Sequence, residues 1–149
     1  MGATDDIRNL IPHAGSMCLL ERIVGWNEQG MTLATATHAS LTNPLRNHGR
    51  LHAIHLCEYG AQAMAVHGGL FARAAGLTAT PGLLVSLRDV VLSADSIESL
   101  AGELLVEVER LQAGATGLQY AFRITHRDVE LARGRAAVIE GPVAARFPR

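Results

Sequence analysis

Charge is scarce along this chain, and neither sign dominates. Asp, Glu, Lys and Arg make up 18% of the residues, with 13 basic against 14 acidic side chains and a net charge of -1. A nucleic-acid binder carries a basic surplus, so that class is disfavoured. Long apolar runs are lacking too. None approaches the ~20 residues of a membrane helix, so the chain is not expected to span a bilayer. The opening residues, Met1 to Asp6, are acidic and hold no apolar block. No secretory signal is expected, and the cytoplasm is the expected compartment. Cysteine is sparse: Cys18 and Cys57 lie 39 residues apart in apolar surroundings, with no Cys-x-x-Cys partner. They read as two reduced, part-buried thiols rather than a disulfide or a metal pair.

Apolar content is what the chain has in quantity: 48% of residues are hydrophobic and mean hydropathy is +0.17. That excludes a disordered chain. No repeat, low-complexity tract or linker divides the 149 residues, so one domain over 1–149 is expected. A chain of this length buries roughly two thirds of its unfolded surface, enough for one core without staples.

A short helix is expected over residues 4–10, with Thr4 as N-cap, Asp5 and Asp6 in the first turn and Pro12 as the stop. Met17 to Trp26 reads as a strand. Asn27-Glu28-Gln29-Gly30 reads as a turn, and Met31 to Ala39 as a second, alternating strand. Ser40 to Arg50 is a polar loop holding Asn43-Pro44 and Asn47-His48-Gly49. From about Leu51 to Arg73 there is no proline, and the stretch is rich in alanine and glycine. Its length is that of a helix, and its small residues suit a helix lying very close to another backbone. Beyond Thr80-Pro81-Gly82 the period changes to two, predicting strands at Leu83–Ser93, Glu103–Gln112, Leu118–His126 and Val129–Glu140. The order predicts an α+β fold: an antiparallel sheet curled around one central helix, with a sheet edge or surface left for a partner subunit.

Between residues 51 and 75 the only charged side chains are Glu58 and Arg73. At about 100° per residue, Gln62 falls about 40° from Glu58, His55 about 60° and Leu51 about 20°, so they share one stripe. A lone carboxylate on an uncharged helix is costly to bury without partners, which points to a use for Glu58. His67 and His52 fall on other faces and read as structural or solvated. His48 and His52 have i, i+4 spacing, but the histidine cluster lacks the density of a zinc site, so no metal is expected.

Leu10-Ile11-Pro12-His13, followed by an apolar run into Glu21-Arg22-Ile23-Val24, resembles the opening of bacterial (3R)-hydroxyacyl-ACP dehydratases. The stretch Cys57-Glu58-Tyr59-Gly60-Ala61-Gln62-Ala63 resembles that family's helix motif, a Glu followed by small residues and Ala-Gln. Asn43-Pro44-Leu45-Arg46 ahead of Gly49-Arg50-Leu51 is similar to a dehydratase-like branch of fatty-acid and aryl-polyene biosynthesis. The resemblance implies the hotdog fold and dehydration of (3R)-3-hydroxyacyl thioesters on an acyl carrier protein. It also implies a homo-oligomer, a dimer or higher, or a heterodimer with a homologous dehydratase, and no cofactor. One position departs from it. The family histidine stands fourteen residues before the helix Glu, where this chain has Pro44. His48, ten before Glu58, and then His38, twenty before it, are the candidate bases. Glu58 is the expected acid, held by Gln62, with thioester-polarising N–H groups around Leu51–Ala53. His55, Leu51, Met64 and Arg50 are expected on the substrate side, with Leu56 and parts of Leu83–Val85 lining the acyl groove. Arg46, Arg50 and Arg73 are expected to receive the acidic carrier. Asn43, fifteen residues before Glu58, resembles the asparagine of hotdog acyl-CoA thioesterases, and a thioesterase is one alternative. A non-catalytic acyl-carrier-binding partner of an active dehydratase is the other.

Overall fold

A computed structural model describes Ile7 and residues 15–76, 82–114 and 117–140. Six strands form one antiparallel sheet: β1 (Arg22–Trp26), β2 (Gly30–Thr35), β3 (Gly82–Leu92), β4 (Leu104–Gly114), β5 (Gly117–His126) and β6 (Val129–Glu140). Their order across the sheet is β1-β2-β4-β5-β6-β3, so β1 and β3 are the edges. One long helix, α1 (Leu56–Ala74), packs on the inner face, mainly against β4 and β5. This is the helix-in-sheet arrangement that the pattern predicts.

Alternation decides which face each strand buries. Leu104, Val106 and Val108 of β4 and Tyr120, Phe122 and Ile124 of β5 are buried against the helix. Glu107, Glu109 and Arg123, one residue out of step, point to the other face. On β6 the inward positions are Ala132, Gly134 and Ala136, all small. The helix answers with Gly60 and Ala63. Those small residues let α1 sit close to the sheet around one ring: a Cβ added at Gly60 or at Gly134 would lie 2.8 Å from Phe122. Glycine at these positions is therefore a packing requirement.

Three boundaries differ from the sequence reading, each for a visible reason. The strand expected over Met17–Trp26 begins only at Arg22, because side chains take the backbone groups ahead of it. Gln62 Nε2 donates to Met17 O at 2.6 Å, Leu19 N donates to Gln62 Oε1 at 2.9 Å, and the Thr35 and Thr37 hydroxyls both donate to Leu19 O at 2.6 Å. The second strand ends at Thr35, and Thr37–Ala39 closes into a 3-10 turn. The helix begins later than Leu51. Leu51 to Ala53 runs against residues 95–97, with Ala53 N donating to Asp95 O (2.7 Å) and Ile97 N to Leu51 O (2.9 Å). A 3-10 turn at Ala53–His55 then leads into α1, capped by His52, whose Nδ1 accepts from Ile54 N. The helix expected at 4–10 lies outside the described residues except for Ile7, which is helical and fully buried in the core.

Candidate active site

Glu58 stands in the first turn of α1 and is half-buried. His55, three residues earlier on the same face, is also half-buried and caps no backbone group. Two side chains flanking Glu58 fasten this end of the helix to the rest of the fold. Gln62, 1% exposed, ties it to the segment before β1 through Met17 and Leu19. Tyr59, fully buried, ties it to the loop after β2. Its hydroxyl lies 2.9 Å from Thr37 Oγ1 and accepts from Asn43 Nδ2 at 3.0 Å. Burial raises the Tyr59 pKa above its ordinary value and keeps the phenol protonated. The sequence reading passed over Tyr59, because Thr35 and Thr37 look like the polar face of a strand when both in fact bond inward.

The other sequence-derived candidates fall in different places. Gln62 bonds the backbone of Met17 and Leu19 and so anchors the segment before β1. His38 is fully buried: Nε2 donates to Leu100 O at 2.8 Å, and Nδ1 is buried without a partner. No substrate proton reaches either nitrogen. His48 is exposed at the tip of a two-residue turn, with φ of 52° at His48 and 76° at Gly49. Asn47 and Arg50 exchange both backbone bonds across it, the geometry of a tight hairpin. Asn43, 6% exposed, spends its amide on the loop: Nδ2 donates to Thr37 O and Tyr59 Oη, and Oδ1 accepts from Leu45 N. It is not free to hold an attacking water.

The N–H donors expected around Leu51–Ala53 are also largely spent. Ala53 N serves Asp95, Ile54 N serves His52, His55 N serves His52 O, and Leu56 N closes back on Ala53 and Ile54. Leu51, Leu56 and Met64 are buried in the core under the sheet rather than lining an open groove of the protomer. The side chains of Leu83 and Val85 lie outside the described residues. Arg50 is exposed and pairs with Glu98 at 3.5 Å and with Ser96. Arg46 is half-buried and donates to Gly49 O and His38 O. Arg73 is at the other end of α1, about 22 Å along the helix from Glu58, so it does not flank the same entrance. Cys18 and Cys57 are buried thiols not joined in a disulfide, and burial pushes the Cys57 thiol up. Among the described residues no group of three His, Cys, Asp or Glu could hold a metal ion. No described helix is long and apolar enough to cross a membrane.

A second buried histidine occupies the far half of α1. His67 is fully buried; Nε2 donates to Asn27 O and Nδ1 accepts from Tyr120 Oη, both at 2.8 Å. Burial lowers the pKa of His67, and of His38, below the ordinary histidine value. The unfolded chain therefore binds more protons than the folded one just below that value. Stability is complete above about pH 6.5 and falls as the pH drops through the depressed values. Urea midpoints are expected to be level above about pH 7 and to decline toward about pH 5. A variant with His67→Gln should show a shallower decline, and equal midpoints at both pH values in the wild type would refute the expectation.

The helix cradled in a curled antiparallel sheet, with a carboxylate at the start of that helix, defines a hotdog-fold protein. A family model described as ApeP-like, ApeP dehydratase, matches residues 5–148, and the chain belongs to that family of dehydratases, which are hydro-lyases. The dehydratase heterocomplex ApeI:P from Xenorhabdus doucetiae superposes with a TM-score of 0.82 at 19% identity, covering 93% of this chain and 92% of that one. Zebra fish thioesterase superfamily member 2 superposes with a TM-score of 0.66 at 13% identity, covering 93% and 95%. The AziG protein of S. sahachiroi gives 0.64 at 15% identity, covering 88% and 97%. At these identities the three share the fold. No curated protein matches the chain.

Proposed function

We propose that this protein dehydrates 3-hydroxyacyl thioesters, carried by an acyl carrier protein in the cytoplasm, to trans-2-enoyl thioesters. The observation that carries the reading is the membership of a dehydratase family by a chain whose central helix opens on one half-buried carboxylate, Glu58. The base is the imidazole of His55, one helical turn earlier on the same face. It removes the proton at C2; that electron pair becomes the C2–C3 double bond. The C3 hydroxyl leaves as water with a proton from Glu58 in its acid form, and the proton on His55 returns to Glu58. Tyr59 and Gln62 act as positioning residues, because they lock the turn that carries Glu58. His48, exposed on its hairpin, is the alternative base if a second subunit brings it to the site.

The acyl groove lies at a seam between subunits. Edge strand β3 carries Leu84, Leu87 and Val91 at 39–40% exposure, apolar surface that a second hotdog subunit would cover. A second copy or a homologous dehydratase subunit fits, as in the heterocomplex of the Xenorhabdus pair. Purified protein, alone and with a homologous subunit, should convert 3-hydroxyacyl-ACP to a product with the ultraviolet absorbance of a conjugated thioester, without releasing free thiol. Thiol release without the new absorbance would make it a thioesterase. Neither signal in either preparation would leave a carrier-binding protein.

A further inference from the structure

The outer face of the sheet, opposite α1, holds a trough of about 950 Å³. Its floor is small, with Gly30, Thr32 and Ala121, and its walls are charged. On β4 and β6 the charges are sorted by strand, and Asp89 of β3 adds one acid beyond β6. Glu107 and Glu109 project from β4, and Arg133 and Arg135 from β6. The register sets them in two straight rows across β5: Glu107–Arg123–Arg133 and Glu109–Ala121–Arg135. Glu109 and Arg135 stand two strands apart, about 10 Å, which is too far to pair within one sheet; in the other row Arg123 stands between Glu107 and Arg133. Arg123 and Arg133 both turn to Glu130, at 3.2 and 3.3 Å. Glu107, Glu109 and Arg135 have no ion-pair partner among the described residues.

We propose that this face docks a second copy of the chain, sheet against sheet, about a two-fold axis parallel to β5. Such an axis exchanges the β4 side of one copy with the β6 side of the other and keeps each residue in its row. It therefore sets Glu109 opposite Arg135 and Glu107 opposite Arg133, twice each, at the spacing of packed sheets. A patch that is acidic on the β4 side of β5 and basic on the β6 side is complementary to itself in this orientation, and Arg123, which would face its own copy on the axis, already pairs with Glu130. A uniformly acidic partner would meet the β4 carboxylates as well as the arginines. All 13 basic residues of the chain are arginines, whose planar guanidinium suits carboxylate pairing. Val24 and Trp26, 53% and 42% exposed, form an apolar rim on the β1 side, where the edge of the second copy comes to rest. This face reaches edge β3 only at Asp89 and does not include Glu58, so the association does not depend on the proposed reaction.

Reversing charges gives the test, read as particle mass by light scattering, with circular dichroism confirming that each exposed-site variant is folded. Wild-type protein is expected to have twice the mass of Glu109→Arg and of Arg135→Glu measured separately. An equimolar mixture of the two variants should recover the wild-type mass, because both facing pairs then have opposite charges. High salt should shift wild type toward the smaller species. Single reversals at wild-type mass, or a mixture that fails to recover, would overturn the proposal. So would a wild type no larger than its variants. If an acidic protein rather than a second copy occupies the face, Glu109→Arg strengthens its binding while Arg135→Glu weakens it, and self-docking is ruled out.

Discussion

Replacement of Glu58 by glutamine is expected to lower dehydration by roughly 10²–10⁴-fold, the range supplied by one acid–base group. The amide keeps the shape of the side chain but cannot deliver a proton to the departing hydroxyl. Tyr59, through Asn43, and Gln62, through Met17 and Leu19, hold this end of α1, so the variant should fold normally. The loss should fall on kcat more than on KM, since the acyl chain and carrier meet other surfaces. His55→Gln should cost a similar factor, and the double variant little more than either single one, because acid and base act as a unit. The informative contrast is with His48→Gln. If that change abolishes dehydration while His55→Gln does not, the base comes from the exposed hairpin. Full activity in Glu58→Gln would remove the catalytic reading of the helix altogether. The same measurements on His38→Gln should show little change in kcat, because that ring is sealed beneath Leu100.

Phe122→Ala is expected to destabilise the protein by about 3–5 kcal/mol, a large part of the stability of an ordinary domain. The ring is 2% exposed and lies between Gly60 on the helix and Gly134 on β6. Glycines have no side chains that could relax into the space the ring leaves, so the cavity should stay open. The reciprocal change adds a control. Gly60→Ala in the intact protein forces a methyl to 2.8 Å from the ring and should cost about 1–2 kcal/mol, even after the helix-propensity gain of alanine. In the Phe122→Ala background the same methyl meets empty space and should be neutral or stabilising. Urea unfolding of the four proteins measures the coupling. Additive effects would mean that helix and sheet do not meet through this ring.

Much of this architecture is legible in the sequence because it rests on local periodicity. The four strands after residue 81 follow a period near two, and Arg127-Asp128 marks the β5–β6 turn, where both residues take positive φ. The central helix is legible from its length and its small residues. Its start is not, because Leu51–Ala53 is drawn out by Asp95 and Ile97, more than forty residues away. The site divides in the same way. Helical spacing alone puts His55, Glu58 and Gln62 on one stripe. What each side chain bonds to is a long-range matter: Gln62 reaches Met17 and Leu19, and Asn43 reaches Tyr59. His38 sits in a polar stretch that reads as exposed loop, yet the fold closes over it. No local signal distinguishes such a ring from a solvated one.

Edge strand β3 is bent. Its pairing with β6 slips between Leu84 and Ser86 and again between Arg88 and Val91, and Asp89 has a φ of 55°. A straight strand from an unfolded or foreign chain cannot zip along such an edge, since the hydrogen-bonding groups fall out of step twice within a few residues. Only a neighbour with matching offsets can complete the ladder. The kinks thus guard against fibre growth and also work as a shape code that admits relatives of this chain and turns other strands away.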